Sequence, residues 1–171
     1  MVDGISVAGV DPGAKGAIAL IYPDDGWLRI IDMPTYEVTR TKKKTLIDGG
    51  SICDFLRAGQ PVHLFNEEVA SSPQMGVASA FSFGMNYGSI KAIASALQIP
   101  QSEVRPQVWK KELRVPKDKK EATGRAKELF PRATSQFTRP DRAEAALICL
   151  YGVLQLGHTI RKFIVPYPEG A

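Results

Sequence analysis

Apolar residues in this chain gather into short runs, each ended by a turn residue or an acid. Residues 5–11 form the first run, and its last member, Asp11, is followed at once by Pro12-Gly13. A continuous apolar run of this length reads as a buried strand. Residues 17–22 and 27–33 read as two more strands. Gly13 to Gly16 marks a tight turn before the second, and Asp24-Asp25-Gly26 a hairpin-type turn before the third. Short turns predict an antiparallel meander. Residues 35–45 are polar and read as a loop. Leu46, Ile47, Ile52, Phe55 and Leu56 have helical spacing, which Gly59 stops. Residues 62–69 read as a fourth strand. Following a helix, it is expected to run parallel to the first.

A long helical pattern covers residues 75–97, with Gly84 and Gly88 four apart on one face. A glycine inside a helix costs about 1 kcal/mol relative to alanine, so close packing against another element is expected there. Residues 103–105 read as a fifth strand. Residues 108–113, 119–130 and about 141–156 read as helices, and the chain from about residue 158 as an extended tail. The order is β-β-β-α-β-α-β-α-α. This predicts an α/β fold: a five-stranded mixed sheet, its first three strands antiparallel, flanked by helices. The length of 171 residues suits one domain, residues 1–171.

Composition adds little to that picture and excludes some classes. No apolar run approaches the roughly 20 residues needed to span a bilayer. The amino-terminal residues carry no basic, apolar signal segment, so a cytoplasmic protein is expected. The two cysteines, Cys53 and Cys149, fall in separate helical segments and read as buried thiols in a reducing compartment.

Charge changes the picture more. The net charge is +4, and the basic residues are unevenly spread. Residues 105–142 hold twelve Lys and Arg against five acids. Arg40-Thr41-Lys42-Lys43-Lys44 forms a second cluster. Such runs are either solvated faces or a surface for a phosphate backbone.

Four acids give the candidate chemistry: Asp11, Glu67, Asp141 and Glu144. Asp11 and Glu67 end two apolar strands. Asp141 and Glu144 lie three apart at the start of an apolar helix, on one helical face. Acids seldom sit in apolar segments unless something cationic neutralises them. Hard divalent cations prefer oxygen ligands, so the set points to Mg²⁺, with Mn²⁺ able to substitute, and to phosphate-ester chemistry. Each acid also has a plainer reading. Asp11 suits a turn, Glu67 or Glu68 a strand-end surface charge, and Asp141 with Glu144 a capping box.

The residues in their order resemble the RuvC-type Holliday junction resolvases, most closely a short phage- and organelle-type branch. The segments that carry the resemblance begin with Gly9-Val10-Asp11-Pro12-Gly13 and Glu67-Glu68-Val69-Ala70-Ser71-Ser72-Pro73-Gln74-Met75-Gly76. After them come Phe81-Ser82-Phe83-Gly84, Pro106-Gln107-Val108-Trp109-Lys110-Lys111, Glu128-Leu129-Phe130-Pro131 and Asp141-Arg142-Ala143-Glu144-Ala145. Each motif is weak alone; the ordered set is specific. The resemblance implies a ribonuclease-H-like fold, a homodimer and Mg²⁺-dependent cleavage. It favours Glu67 over Glu68 as the ligand, because Val69, Pro73 and Gly76 then fall in register. Strand alternation sends Glu68 to the other face.

On this reading two Mg²⁺ ions, about 4 Å apart, are held by Asp11, Glu67, Asp141 and Glu144, which are the catalytic and metal residues. The expected products are paired symmetric nicks in a four-way DNA junction, with 5′-phosphate and 3′-hydroxyl ends. Lys110, Lys111, Lys117, Lys119, Lys120, Lys42 and Lys43 are expected to hold DNA. Trp109 reads as a packed anchor for its helix. The helix carrying Gly84 and Gly88 is the expected dimer contact. No small-molecule cofactor is expected.

The chain departs from the family in places. Asn66 stands where an apolar residue is usual. Ala70 replaces an aromatic thought to act at the junction centre, so a junction is opened some other way or by Phe81, Phe83 or Tyr87, aromatics that also read as core or dimer-interface residues. Pro140 stands where the phage-type branch often has the first acid of its last helix. Competing readings are a ribonuclease acting on RNA–DNA hybrids, a nuclease for other branched DNA, and a catalytically silent branched-DNA binding protein. An actin-like kinase also opens with a strand, Asp and Gly, but needs two such domains, and this chain is too short for them.

Overall fold

Six of the seven residues of the first apolar run, Ser6–Asp11, are buried and form strand β1, whereas Ile5 is exposed. Strand β2, Ala17–Tyr22, is equally buried, whereas β3, Trp27–Asp32, alternates between buried and partly exposed positions. A strand covered on both faces reads as a continuous apolar run, and one at the margin alternates. The computed structural model describes residues 4–39, 43–70, 74–160 and 164–168.

The central sheet contains β1 to β3, β6 (Pro61–Glu67), β7 (Gln101–Val104) and β8 (Val165–Pro166). Its order is β7-β6-β1-β2-β3-β8. β1, β2 and β3 pair antiparallel, as expected, and β6 is parallel to β1. β7 is parallel to β6, and β8 to β3. The architecture is the mixed α/β sheet predicted, with a sixth strand supplied by the carboxy-terminal segment.

The polar stretch after β3 differs from expectation. It forms an antiparallel hairpin, β4 (Thr35–Thr39) with β5 (Lys43–Ile47), rather than a loop. Of the described residues in this hairpin, Ile47 alone is fully buried, so no apolar alternation marks the strands. Leu46 and Ile47 belong to β5. Helix α1, Gly49–Gly59, begins only after Asp48, whose Oδ1 accepts from Gly50 N at 3.0 Å and Ser51 N at 3.3 Å.

Four further helices follow among the described residues: α2 (Val77–Ala96), α3 (Pro106–Glu112), α4 (Lys119–Leu129) and α5 (Pro140–Gln155). The sheet has one core on each face. Val7, Ala19, Phe65 and Trp109 pack with α4 and the buried residues of α5 on one side. Ala8, Val10, Leu20 and Leu64 pack with α1, Ile90 and Ala94 on the other. Among the described residues Gly84 and Gly88 do not show the close packing expected of them, since a Cβ at either would meet nothing there within 4 Å.

α5 lies unusually close to β1. A Cβ built on Gly9 would stand 2.3 Å from Cys149 N and 2.6 Å from Ala145 O. One on Gly152 would stand 2.3 Å from Phe65 Cδ2. Backbone atoms cannot rotate aside, so Gly9→Ala is expected to destabilise the protein by about 3 kcal/mol or more, measured by urea unfolding. A loss below about 1 kcal/mol would show that α5 can lift off β1 cheaply.

Candidate metal centre

Strand alternation builds the first half of the site. Val7 belongs to the α5-side core, so Gly9 and Asp11, two and four residues on, share that face. On β6, Phe65 belongs to the same core, which puts Glu67 there too. The β1–β6 register pairs Val10 with Asn66, so Asp11 and Glu67 lie level at the ends of neighbouring parallel strands. Asn66 falls on the opposite face. It is buried, and neither side-chain polar atom has a hydrogen-bond partner among the described residues.

α5 supplies the other half. Its N-cap is Arg139, with no side-chain cap bond, and Pro140 occupies the first turn. Asp141 is therefore inside the helix and not its cap, so the capping-box reading is not realised. The first turn is also where the helix dipole favours a carboxylate. Ligand oxygens of Asp11, Asp141 and Glu144 lie within 4.8 Å of one another. Asp11 is 9% exposed and Glu144 6%. Glu67 is outside that trio, but its charge acts on Asp11, and the charge of Glu144 acts on Glu67. Glu68 turns away and accepts from Arg105 Nε at 3.1 Å.

Burial raises the Asp11 carboxyl from 3.8 to about 8, and the charges of Glu144, Glu67 and Asp141 push the same way, against Lys119. Burial also raises Glu67, opposed by a hydrogen bond from Trp109. The chain answers part of this charge itself. Lys110 Nζ lies 2.8 Å from Glu144 Oε1. Lys119 Nζ lies 3.7 Å from Asp141 Oδ1 and 3.8 Å from Glu144 Oε2. Arg139 Nη2 lies 3.4 Å from Asp141 Oδ2. The Lys119 ammonium is held above its ordinary range. Burial opposes this, but Glu144, Asp141 and Asp11 outweigh it. A buried all-oxygen donor set carrying this much negative charge fits a hard divalent cation.

The basic residues divide into two kinds. Lys110 and Lys119 face the acids. Lys111, Lys117 and Lys120 are exposed, near the start of α4 or on α3. Lys43 opens β5, and Lys42 lies outside the described residues. Among the aromatics, Phe83 lies beside the Asp11-Pro12-Gly13 turn, its Cε2 3.6 Å from where a Gly13 Cβ would be. Phe81 is 64% exposed on α2, and Ala70 is exposed just past β6. Two partners went unread in the sequence. Trp109 Nε1 donates to Glu67 Oε1 at 3.0 Å. Arg139 meets Asp141 and also Asp32, whose carboxylate Arg142 engages at 3.2 Å. A buried tryptophan needs an acceptor, and that requirement was the available signal for the first.

No protein-family model matches the chain, and neither does any curated protein. Solved structures do. T. thermophilus RuvC in complex with a Holliday junction substrate matches with a TM-score of 0.60 and 17% identity, over 90% of this chain and 97% of that one. This is the RuvC-type resolvase fold. A second T. thermophilus RuvC structure matches with a TM-score of 0.57 and 16% identity, over 90% and 98% of the two chains. The yeast mitochondrial Holliday junction resolvase Ydc2 matches with a TM-score of 0.53 and 17% identity, over 89% and 80%. In this chain the RuvC-type fold brings the four acids to one end of the sheet, and no helix among the described residues is long and apolar enough to cross a membrane.

The raised Asp11 has a measurable consequence. The folded protein holds a proton that the unfolded chain releases near pH 4, so the contribution of Asp11 to metal-free stability is full below pH 4 and is lost as pH rises to about 8. Melting in EDTA is expected to fall by several degrees between pH 6 and pH 9. Mg²⁺ should restore most of that loss at pH 9. A melting temperature that does not change with pH would contradict the burial of an uncompensated Asp11.

Proposed function

We propose that this chain is one nuclease domain that resolves four-way DNA junctions, a Mg²⁺-dependent structure-selective endonuclease. The observation that carries the reading is the convergence of Asp11, Asp141 and Glu144 within 4.8 Å, with Glu67 beside them. The junction-bound neighbour of the same fold supports the choice of substrate.

Asp11, Glu67, Asp141 and Glu144 would hold Mg²⁺, two ions in all. Bound there, Mg²⁺ supplies charge for the scissile phosphate and acidifies water, the usual basis of two-metal phosphodiester hydrolysis. The chain's own residues do the rest. Asp11, at the buried end of β1, sets the position of the centre. Lys119, an exposed ammonium resting on two of the acids, is within reach of a backbone phosphate brought to them. Lys111, Lys117 and Lys120 lie along the flank and hold the duplex arms by charge. The reaction adds water across one phosphodiester bond and leaves 5′-phosphate and 3′-hydroxyl ends.

Symmetric nicking needs two centres, hence a homodimer. On α2, Val77 is 88% exposed, Phe81 64% and Met85 45%. Together with Gly84 and Gly88 these residues form one exposed stripe at helical spacing, with open space beside both glycines among the described residues. A second copy packed there would use glycines that a single chain leaves open. The apolar stripe supports that placement of the dimer contact.

The test is a labelled immobile junction, a linear duplex and an RNA–DNA hybrid, each with Mg²⁺ or EDTA. Paired metal-dependent nicks confined to the junction are expected. Asp11→Asn should still bind the junction and lose detectable nicking. Cleavage of the hybrid instead would make the enzyme a ribonuclease, and tight binding without cleavage would make it a silent junction-binding protein. A second measurement isolates the flank. The double variant Lys117→Ala, Lys120→Ala should lower the slope of log affinity against log salt by about 2. An unchanged slope removes both lysines from the DNA face.

A further inference from the structure

The short helix α3 touches two of the four acids, which sit on different elements. Trp109 Nε1 donates to Glu67 Oε1 on β6 at 3.0 Å. Its neighbour Lys110 reaches Glu144 Oε1 on α5 at 2.8 Å, with its ammonium 5.0 Å above the Trp109 ring. Trp109 is fully buried, in the core that also contains Leu113, Phe130 and Phe137. Its ring therefore has one orientation, set by packing. Its N–H has no access to water, and Glu67 is its acceptor.

Glu67 needs such a partner more than the other acids do. Asp141 and Glu144 are fixed by one helix, three residues apart. Glu67 stands on a separate strand and outside the trio of mutually close oxygens. It is the last residue of β6, where ladder constraints end. A carboxylate there has free rotamers unless something holds it. The β6–β7 register pairs Glu67 with Val104, so the chain leaving β7 enters α3 directly beside it.

We propose that Trp109 is a positioning residue for the metal centre: its indole N–H holds Glu67 by Oε1 and leaves Oε2 to ligate the cation. This rests on the metal-binding reading of the four acids given above. It changes the role of the Trp109-Lys110 pair, which serves the site from behind rather than the DNA from in front. A donor behind a ligand fixes its orientation, and removing such a donor typically weakens metal binding about 10–100-fold.

The experiment is calorimetric titration of the DNA-free protein with Mn²⁺, read beside its melting temperature. The wild type, Glu67→Gln, Trp109→Phe and a protein with benzothienylalanine at position 109 are compared. Benzothienylalanine keeps the size and shape of tryptophan but has sulfur in place of the N–H. Expected is at least about a 10-fold loss of Mn²⁺ affinity for the benzothienylalanine protein, with a melting temperature close to the wild type. Combining Glu67→Gln with Trp109→Phe should cost no more affinity than Glu67→Gln alone. Wild-type affinity in the benzothienylalanine protein, alongside weakened binding in Glu67→Gln, overturns the positioning role and leaves the metal reading intact. Loss in Trp109→Phe alone does the same, because it reports packing. No Mn²⁺ binding by the wild type overturns the metal reading, and this proposal with it.

Discussion

The contact on which the rest of the molecule depends is that between α5 and β1 at Gly9. Without a side chain there, the backbone at Ala145 and Cys149 comes down onto the strand, and Cys149 Sγ donates to Val7 O at 2.9 Å. The alanines of α5 allow that depth along its length. Asp141 and Glu144, one to two turns toward the amino end, are carried to the level of Asp11. A larger residue at position 9 would lift the helix and separate the acids. Packing in the core and the geometry of the charged centre are thus one constraint.

The centre also works against the fold that builds it. Four acids converge at low exposure, and the ordinary remedy of solvation is largely denied to Asp11 and Glu144. The chain offsets the repulsion with Lys110, Lys119 and Arg139, each placed from a different element. These cations differ in depth. Lys110 is mostly covered, whereas Lys119 reaches in from the surface. A cation held at the surface end of its reach can be exchanged for another, and one buried against an indole cannot be so easily.

Much of this was legible in the sequence because it rests on local rules. Asp11 ends a run too apolar to be a surface strand, and Pro12-Gly13 stops it. The family resemblance favours Glu67 over Glu68, and strand alternation turns Glu68 to the other face, where Arg105 meets it. The parallel direction of β6 relative to β1 followed from the intervening helix, and their pairing is seen in the structure. What escaped was non-local or lacked an apolar signal. Among its described residues the β4–β5 hairpin buries only Ile47, so no apolar alternation marks it, and the spacing of Leu46 and Ile47 reads as part of the helix that begins only after Asp48. Gly84 and Gly88 suggested close packing that the single chain does not make. Trp109 was legible as a buried anchor, but its partner lies 42 residues away at the end of β6. Asn66 was visible as an oddity, and the structure deepens it: an amide buried with no partner among the described residues is a standing cost of about 1–3 kcal/mol.

The carboxy-terminal strand has an effect on how the molecule meets others. Val165 N and Tyr167 N both donate inward, to Gly26 O and Leu28 O of the neighbouring chain segment. The residue between them, whose amide would face outward, is Pro166, which has none. The rim of the sheet on that side therefore offers an incoming strand no donor where one would be sought. Side-by-side joining of sheets into larger aggregates is discouraged there.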